Sequence, residues 1–195
     1  SGQVWHGRSG QDGGKAQDSG ECPFGQVSGF SRRAETGMVR LFAHCNRRTL
    51  MSLHGDYDDQ NIFAKIIRGE APCYTLYEDD DVLAFLDVFP QSFGHSLVIP
   101  KKAAARNLLE IDTDSLAKVM AVVQRLTRVL VEELQPAGVQ VAQFNGAPAG
   151  QTVFHIHMHV IPRFAGESLG IHASAKADPA ELEQLQARLR ARLAD

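Results

Sequence analysis

The apolar positions of this chain change character near Asp58. Before it no period is visible; from Asn61 onward the spacing is regular. "NIFAKIIRGE" sets Ile62, Phe63, Ile66 and Ile67 on one face and stops at Gly69, which predicts a short helix. "CYTLYEDDDVLAFLDV" reads as two strands around an acidic turn, and "GHSLVIP" as a third strand ended by Pro100. Asp112 then stands where it can cap a long helix over 112–135. Leu116, Val119, Met120, Val123, Leu126, Leu130 and Leu134 recur along it at helical spacing, and Pro136 and Gly138 close it. "VQVAQFN" and "TVFHIHMHVIP" predict a fourth and a fifth strand, with Gly146, Pro148 and Gly150 in the loop between. The last segment, "DPAELEQLQARLRARL", offers Asp178 as cap, Pro179 at the first helical position and Glu181 in a capping box. Its Leu182, Leu185, Leu189 and Leu193 form one stripe. Hairpins with segregated helices predict an α+β fold. Its expected parts are about five antiparallel strands, a short N-terminal helix, one long helix and a C-terminal helix.

The stretch before Asp58 is Gly-, Ser- and Gln-rich and then Arg-rich, too polar to offset its ordering entropy. Residues 1–58 are therefore expected to be a disordered or non-native leader, and residues 59–195 one domain with a C-terminal helical extension. The whole chain has 195 residues, 44% hydrophobic and 22% charged, which suffices for one domain with a real core. A net charge of −3 provides no global basic field, so nucleic acid is not an expected partner. Three widely spaced cysteines without a C-x-x-C argue against a disulfide framework and a thiolate zinc site. No apolar run is long enough to span a bilayer, so no membrane is expected, and a reducing cytoplasm is the expected location.

The chemistry concentrates in "QTVFHIHMHVIPRF", where His155, His157 and His159 alternate with Ile156, Met158 and Val160. On a strand the three imidazoles share one face, and the three apolar side chains take the other. Polar strand faces ordinarily carry Thr, Lys, Glu or Arg, so a purely structural role explains one histidine better than three. A metal site would need further ligands from elsewhere, for which His95 is a candidate. An array of imidazoles working as nucleophile and proton carriers near neutral pH suits attack on phosphorus. The residues just upstream fit a phosphate: Gly146 and Gly150 let backbone N–H groups approach, and Asn145, Gln151 and Thr152 add uncharged donors.

"HIHMHVI" with the preceding "NGAPAGQTVF" resembles the histidine triad (HIT) superfamily, whose motif is three histidines separated by single apolar residues. The likeness runs from about Asn61 to Phe164 and includes "NIFAKIIRGEAP" and "YEDDDVLAFLDVFPQSFGHSLVIPKK". It implies hydrolysis or transfer at the α-phosphate of purine nucleotide conjugates, of the AMP phosphoramidate or aminoacyl-adenylate type, through a covalent nucleotidyl-histidine. By motif position His157 is the nucleophile, His155 and His159 flank it, and His95 is a fourth histidine on the leaving-group side. Asp87 matches the ribose contact; Ile62, Phe63, Ile66 and Leu86 match the base pocket; Asn145, Gln151 and Thr152 match phosphate contacts. The resemblance further implies a homodimer and chemistry that needs no metal or other cofactor. Its texture is that of bacterial members and the Hint-like branch. The alternatives are Fhit-type cleavage of dinucleoside polyphosphates, or nucleotide binding with little turnover. Asn61 and Ala64 stand where some relatives place zinc-binding cysteines, so no structural zinc is implied.

Overall fold

The computed structural model describes residues 53–166 and 175–194. The expected leader lies outside them, except for its last residues from Leu53, considered with the site below. Five strands form one antiparallel sheet: β1 (Tyr74–Glu78), β2 (Val82–Leu86), β3 (Ser96–Pro100), β4 (Gly138–Ala142) and β5 (Met158–Arg163). Their spatial order is β1-β2-β3-β5-β4. Among the described residues, α-helices α1 (Ile62–Ile67), α2 (Thr113–Leu134) and α3 (Pro179–Ala194) accompany them. The expected α+β architecture is what the chain adopts.

The central strands β2 and β3 are buried on both faces, which is why they read as unbroken apolar runs. Val82, Ala84 and Leu86 join the core under α2 and α3, with Val98, Met158 and Val160. Leu83 and Phe85 turn to the opposite face and pack with Phe63, Leu97 and Ile99. That second, smaller cluster is the floor on which the site stands.

Local chemistry starts each element. Asn61 caps α1 by accepting from the N–H groups of Phe63 and Ala64, both at 3.0 Å. Asp79 makes the hairpin turn by accepting from Asp81 and Val82 N–H. Asp112 caps α2 through Ser115 N–H, and Asp178 accepts from Ala180 N–H at the start of α3. The leucine stripe of α3 is fully buried, as its spacing predicts.

Two expectations are corrected. The buried arc of α2 is Val119, Val122, Val123, Leu126, Val129 and Leu130, while Met120 is 40% exposed. With about 3.6 residues per turn, Met120 sits a quarter-turn off the arc that Val119 and Leu126 define. The end of the helix is as expected, ahead of Pro136, with Gln135 as its C-cap in the left-handed conformation at φ 48°. In addition, the fifth strand begins only at Met158, not at Thr152. Ile156 N–H goes to the carbonyl of Ala105 in a loop, so the backbone carrying His155 and His157 runs outside the ladder.

Gly94 shows how tightly the loop between β2 and β3 is seated. Its φ is 86°, and a Cβ there would lie 2.5 Å from Leu134 Cδ1 and 3.3 Å from Pro162 Cγ. Gly94→Ala is therefore expected to lower unfolding stability by about 1–3 kcal/mol, read as a lower denaturant midpoint with an unchanged slope.

Candidate active site

Four segments converge on one end of the sheet. Asp87 follows β2, His95 precedes β3, and His159 lies in β5 opposite Leu97 of β3 and Ala142 of β4. The fourth is the turn at Ala147–Ala149, flanked by Gly146 (φ 84°) and Gly150 (φ 99°), which leads into Thr152. These glycines adopt a backbone region that side-chain-bearing residues rarely enter. Gln151 fastens the turn from inside: its Oε1 accepts from Gly146 N–H, and its amide nitrogen donates to the carbonyls of Arg106 and Val153.

Hydrogen-bond partners fix the proton on each ring. His157 Nδ1 meets the carbonyl of His155 at 2.7 Å. A carbonyl can only accept, so Nδ1 carries the hydrogen and Nε2 keeps its lone pair. His155 Nε2 meets the carbonyl of Pro100 at 3.0 Å and must donate. Its Nδ1 therefore accepts from the hydroxyl of Tyr57. His95 Nδ1 accepts from Gln91 N–H at 3.1 Å. His95 Nε2–H then donates to His159 Nδ1 at 3.0 Å, which leaves the hydrogen of His159 on Nε2. Two rings are thus set from opposite sides: His157 presents an acceptor nitrogen and His159 a donor N–H, with centroids 4.8 Å apart.

His157 and His159 line a cavity of about 500 Å³. Ile62, Phe63, Ile66, Leu86, Asp87, His95 and Thr152, all singled out from the sequence, line it too. Phe63 stands edge-on to His157 with centroids 5.0 Å apart. An apolar slot thus leads to a polar end, the form expected of a small-molecule site. Three sequence candidates do not reach the cavity. His155 is 1% exposed and lies behind His157, against Tyr57 and Pro100. Asn145 uses its Oδ1 to accept from Leu108 N–H. Gln151 is buried in the turn it fastens. All three hold the site's backbone.

Sequence reasoning missed several participants. Tyr57 fell in the segment assigned to the leader, where no period announces it. Phe144 packs on His159 with centroids 5.2 Å apart. Continued alternation from Gln140 through Ala142 would have put it on that face. Gln91 and Arg163 were passed over as loop and strand-end residues.

Burial sets the electrostatics. It pushes His155 down to about 4 and His159 down to about 3. His95 is pushed down to about 4, first by burial and then by the nearby Arg163 and His157. His157 is lowered by burial as well. All four rings are neutral near pH 7. Burial pushes the Asp87 carboxyl up to about 6, against the bond it accepts from Phe89 N–H. His155 points away from the cavity, so it offers no ligand atom beside His157 and His159. Asp87, His95 and His159 do bring one ligand-type atom each within 4.8 Å of the others. Both nitrogens of that His95 are engaged, by Gln91 N–H and by His159.

Comparison with known proteins places these features in a family. The model of the HIT domain matches residues 68–166. Adenosine 5'-monophosphoramidase of Schizosaccharomyces pombe is 38% identical over 126 residues, 65% of this chain and 90% of that protein. An adenylylsulfatase of Arabidopsis thaliana is 41% identical over 138 residues, 68% of each chain. Among solved structures, a HIT-like protein of Bartonella henselae superimposes with a TM-score of 0.67 at 45% identity, covering 71% of this chain and 99% of that one.

The depressed histidines give stability a pH slope. Between pH 6.5 and about 4 the unfolded chain protonates these rings while the folded chain holds them neutral. The unfolded state then binds more protons, so stability falls as pH falls through that window. Asp87 opposes this, since the folded state keeps a proton there up to about pH 6 that the unfolded chain has released. One carboxyl against four imidazoles leaves the histidine sign in control. Thermal melting is expected to drop from pH 7 to pH 5, and His155→Asn is expected to flatten the slope.

Proposed function

The chain belongs to the HIT domain family, and on that membership and the site's geometry we propose that it hydrolyses purine nucleotide conjugates at the α-phosphate, AMP phosphoramidates first. The supporting observation is the bond from His157 Nδ1 to the His155 carbonyl, which leaves Nε2 as a neutral nucleophile on a cavity wall. In the reaction, Nε2 attacks phosphorus, the bond from phosphorus to the leaving amine breaks, and a nucleotidyl-histidine forms. The leaving amine needs a proton, and His159 Nε2–H is the adjacent donor. Water then attacks the same phosphorus and returns a proton to His159 Nε2, the P–N bond to His157 breaks, and AMP is released. A neutral ring is required for the first step, and burial supplies it at pH 7.

Asp87 suits the ribose, since a carboxylate can accept from two hydroxyls. Ile62, Phe63, Ile66 and Leu86 form an apolar slot for the base. Thr152 and the backbone N–H groups by Gly150 suit the phosphate. No step calls on a metal. Cys73 is a free thiol on the cavity wall, pushed up by burial, which suits the reducing cytoplasm proposed for this protein. No helix among the described residues is long and apolar enough to cross a membrane.

We also place the protein in a homodimer. β4 ends the sheet, Val141 on it is 42% exposed, and α2 exposes Met120 and Val131 on one side. Val141 pairs with Val160 and so faces the α2 side of the sheet, where a second copy would cover both.

Turnover of an adenosine phosphoramidate should fall by at least about 10²–10⁴-fold in His157→Ala, with nucleotide trapped on His157 of the parent enzyme during the reaction. Persistent hydrolysis without that ring would end the proposal. A polyphosphate preference in kcat/KM above about ten-fold over the phosphoramidate, a gap of about 1.4 kcal/mol, would move the substrate class to the Fhit type. Light scattering should give twice the chain mass, and Val141→Lys should shift it toward the monomer.

A further inference from the structure

His95 is the first link of the chain that sets the proton on His159, so what holds His95 matters. It sits at the end of the loop 87–95, and this loop is tied down at two neighbouring points of β5. Ser92 Oγ donates to the carbonyl of Pro162. Gln91 Oε1 accepts from Arg163 Nη2 at 2.8 Å. The same guanidinium is held from the other side by Gln140 Oε1, which accepts from Nη2 at 2.8 Å and from Nε at 3.2 Å. Arg163 is thus braced between β4 and the loop by two neutral amides, a planar fork that fixes where Gln91 lies. The backbone N–H of Gln91 is the group that donates to His95 Nδ1.

We propose that Arg163 and Gln91 are positioning residues for the reaction proposed above: Arg163 pins Gln91 so that its N–H holds His95 as the Nε2–H tautomer, and through it keeps the donor hydrogen of His159 on Nε2. The inference rests on that functional reading but adds residues the reading does not use. A tautomer needs such a lock because the two neutral forms of imidazole are nearly equal in energy. If the Gln91 N–H swings away, His95 can place its hydrogen on Nδ1, toward Asp87 Oδ2 at 3.4 Å. His95 Nε2 then becomes an acceptor, His159 must turn its hydrogen to Nδ1, and the leaving group loses its donor. The groups that bear on His95 are Asp87 at the end of β2, His157 ahead of β5, and His159 and Arg163 in β5. The Arg163 charge acts in the same direction as its hydrogen bond, since it disfavours a protonated His95.

The test combines histidine ¹⁵N NMR with a double-mutant cycle, using the full chain and an adenosine phosphoramidate. In the parent protein at pH 7, His95 should show the Nε2–H tautomer. In Gln91→Ala and in Arg163→Met it should become a mixture of tautomers, while His155, bonded to Pro100, stays Nε2–H and reports an intact fold. Each variant should lose about ten- to a hundred-fold in kcat with KM within about two-fold, as expected for misplaced chemistry rather than lost binding. Because Arg163 acts through Gln91, the double variant should be no slower than the slower single one. Multiplying losses, or a parent His95 carrying its hydrogen on Nδ1 or on both nitrogens equally, would overturn the proposal. The parent spectrum decides even if a variant does not fold. The tautomer readings stand without turnover, so absence of phosphoramidate hydrolysis would sink the functional reading and leave this one to be judged by NMR.

Discussion

A single hydrogen bond from side chain to backbone organises the site, that from His157 Nδ1–H to the carbonyl of His155. It exists because the chain leaves the sheet ladder just before Met158, so the His155 carbonyl is free to turn inward. Had β5 begun at Thr152, a ladder partner would compete for that carbonyl. The bond fixes the ring plane and the location of the proton together, and it leaves one nitrogen for chemistry. A ring without such a partner would divide its hydrogen between two nitrogens and present a lone pair to the cavity only part of the time.

The surroundings then keep the rings uncharged. Four imidazoles and a carboxyl are brought together largely out of solvent, and burial is the main influence on each. Neutral rings would still be costly to bury without partners. The fold supplies them one by one: Pro100 carbonyl and Tyr57 hydroxyl for His155, Gln91 N–H for His95, His95 for His159. Tyr57 and Pro100 stand behind the cavity, whereas Gln91 and His95 line it as well as holding a neighbouring ring.

Much of this was legible in the residues. The acidic hairpin, the α3 leucine stripe and the caps Asp112 and Asp178 follow from period and turn chemistry that act within a few residues. The triad itself identified which face would carry chemistry, and Asp87, His95 and Thr152 do gather at its cavity. Asn145 and Gln151 were read as ligand contacts because free amides upstream of a histidine row look like donors. The Gln151 amide is instead taken by Gly146, Arg106 and Val153, and Asn145 Oδ1 accepts from Leu108 N–H. Met120 was placed in the core because a one-residue error in the centre of a helical stripe is invisible in a list of apolar positions.

By itself, the sequence determined the elements, most of their apolar faces and several of the side chains that gather at the cavity, since these depend on period and residue chemistry along the chain. Only the tertiary structure decided which nitrogen of each imidazole bears its hydrogen. That choice belongs to partners far away in sequence: Pro100 for His155, Gln91 for His95, and His95 for His159. A hydrogen's place on a ring is settled by whatever donor or acceptor lies 3 Å away, and only folding brings that atom there.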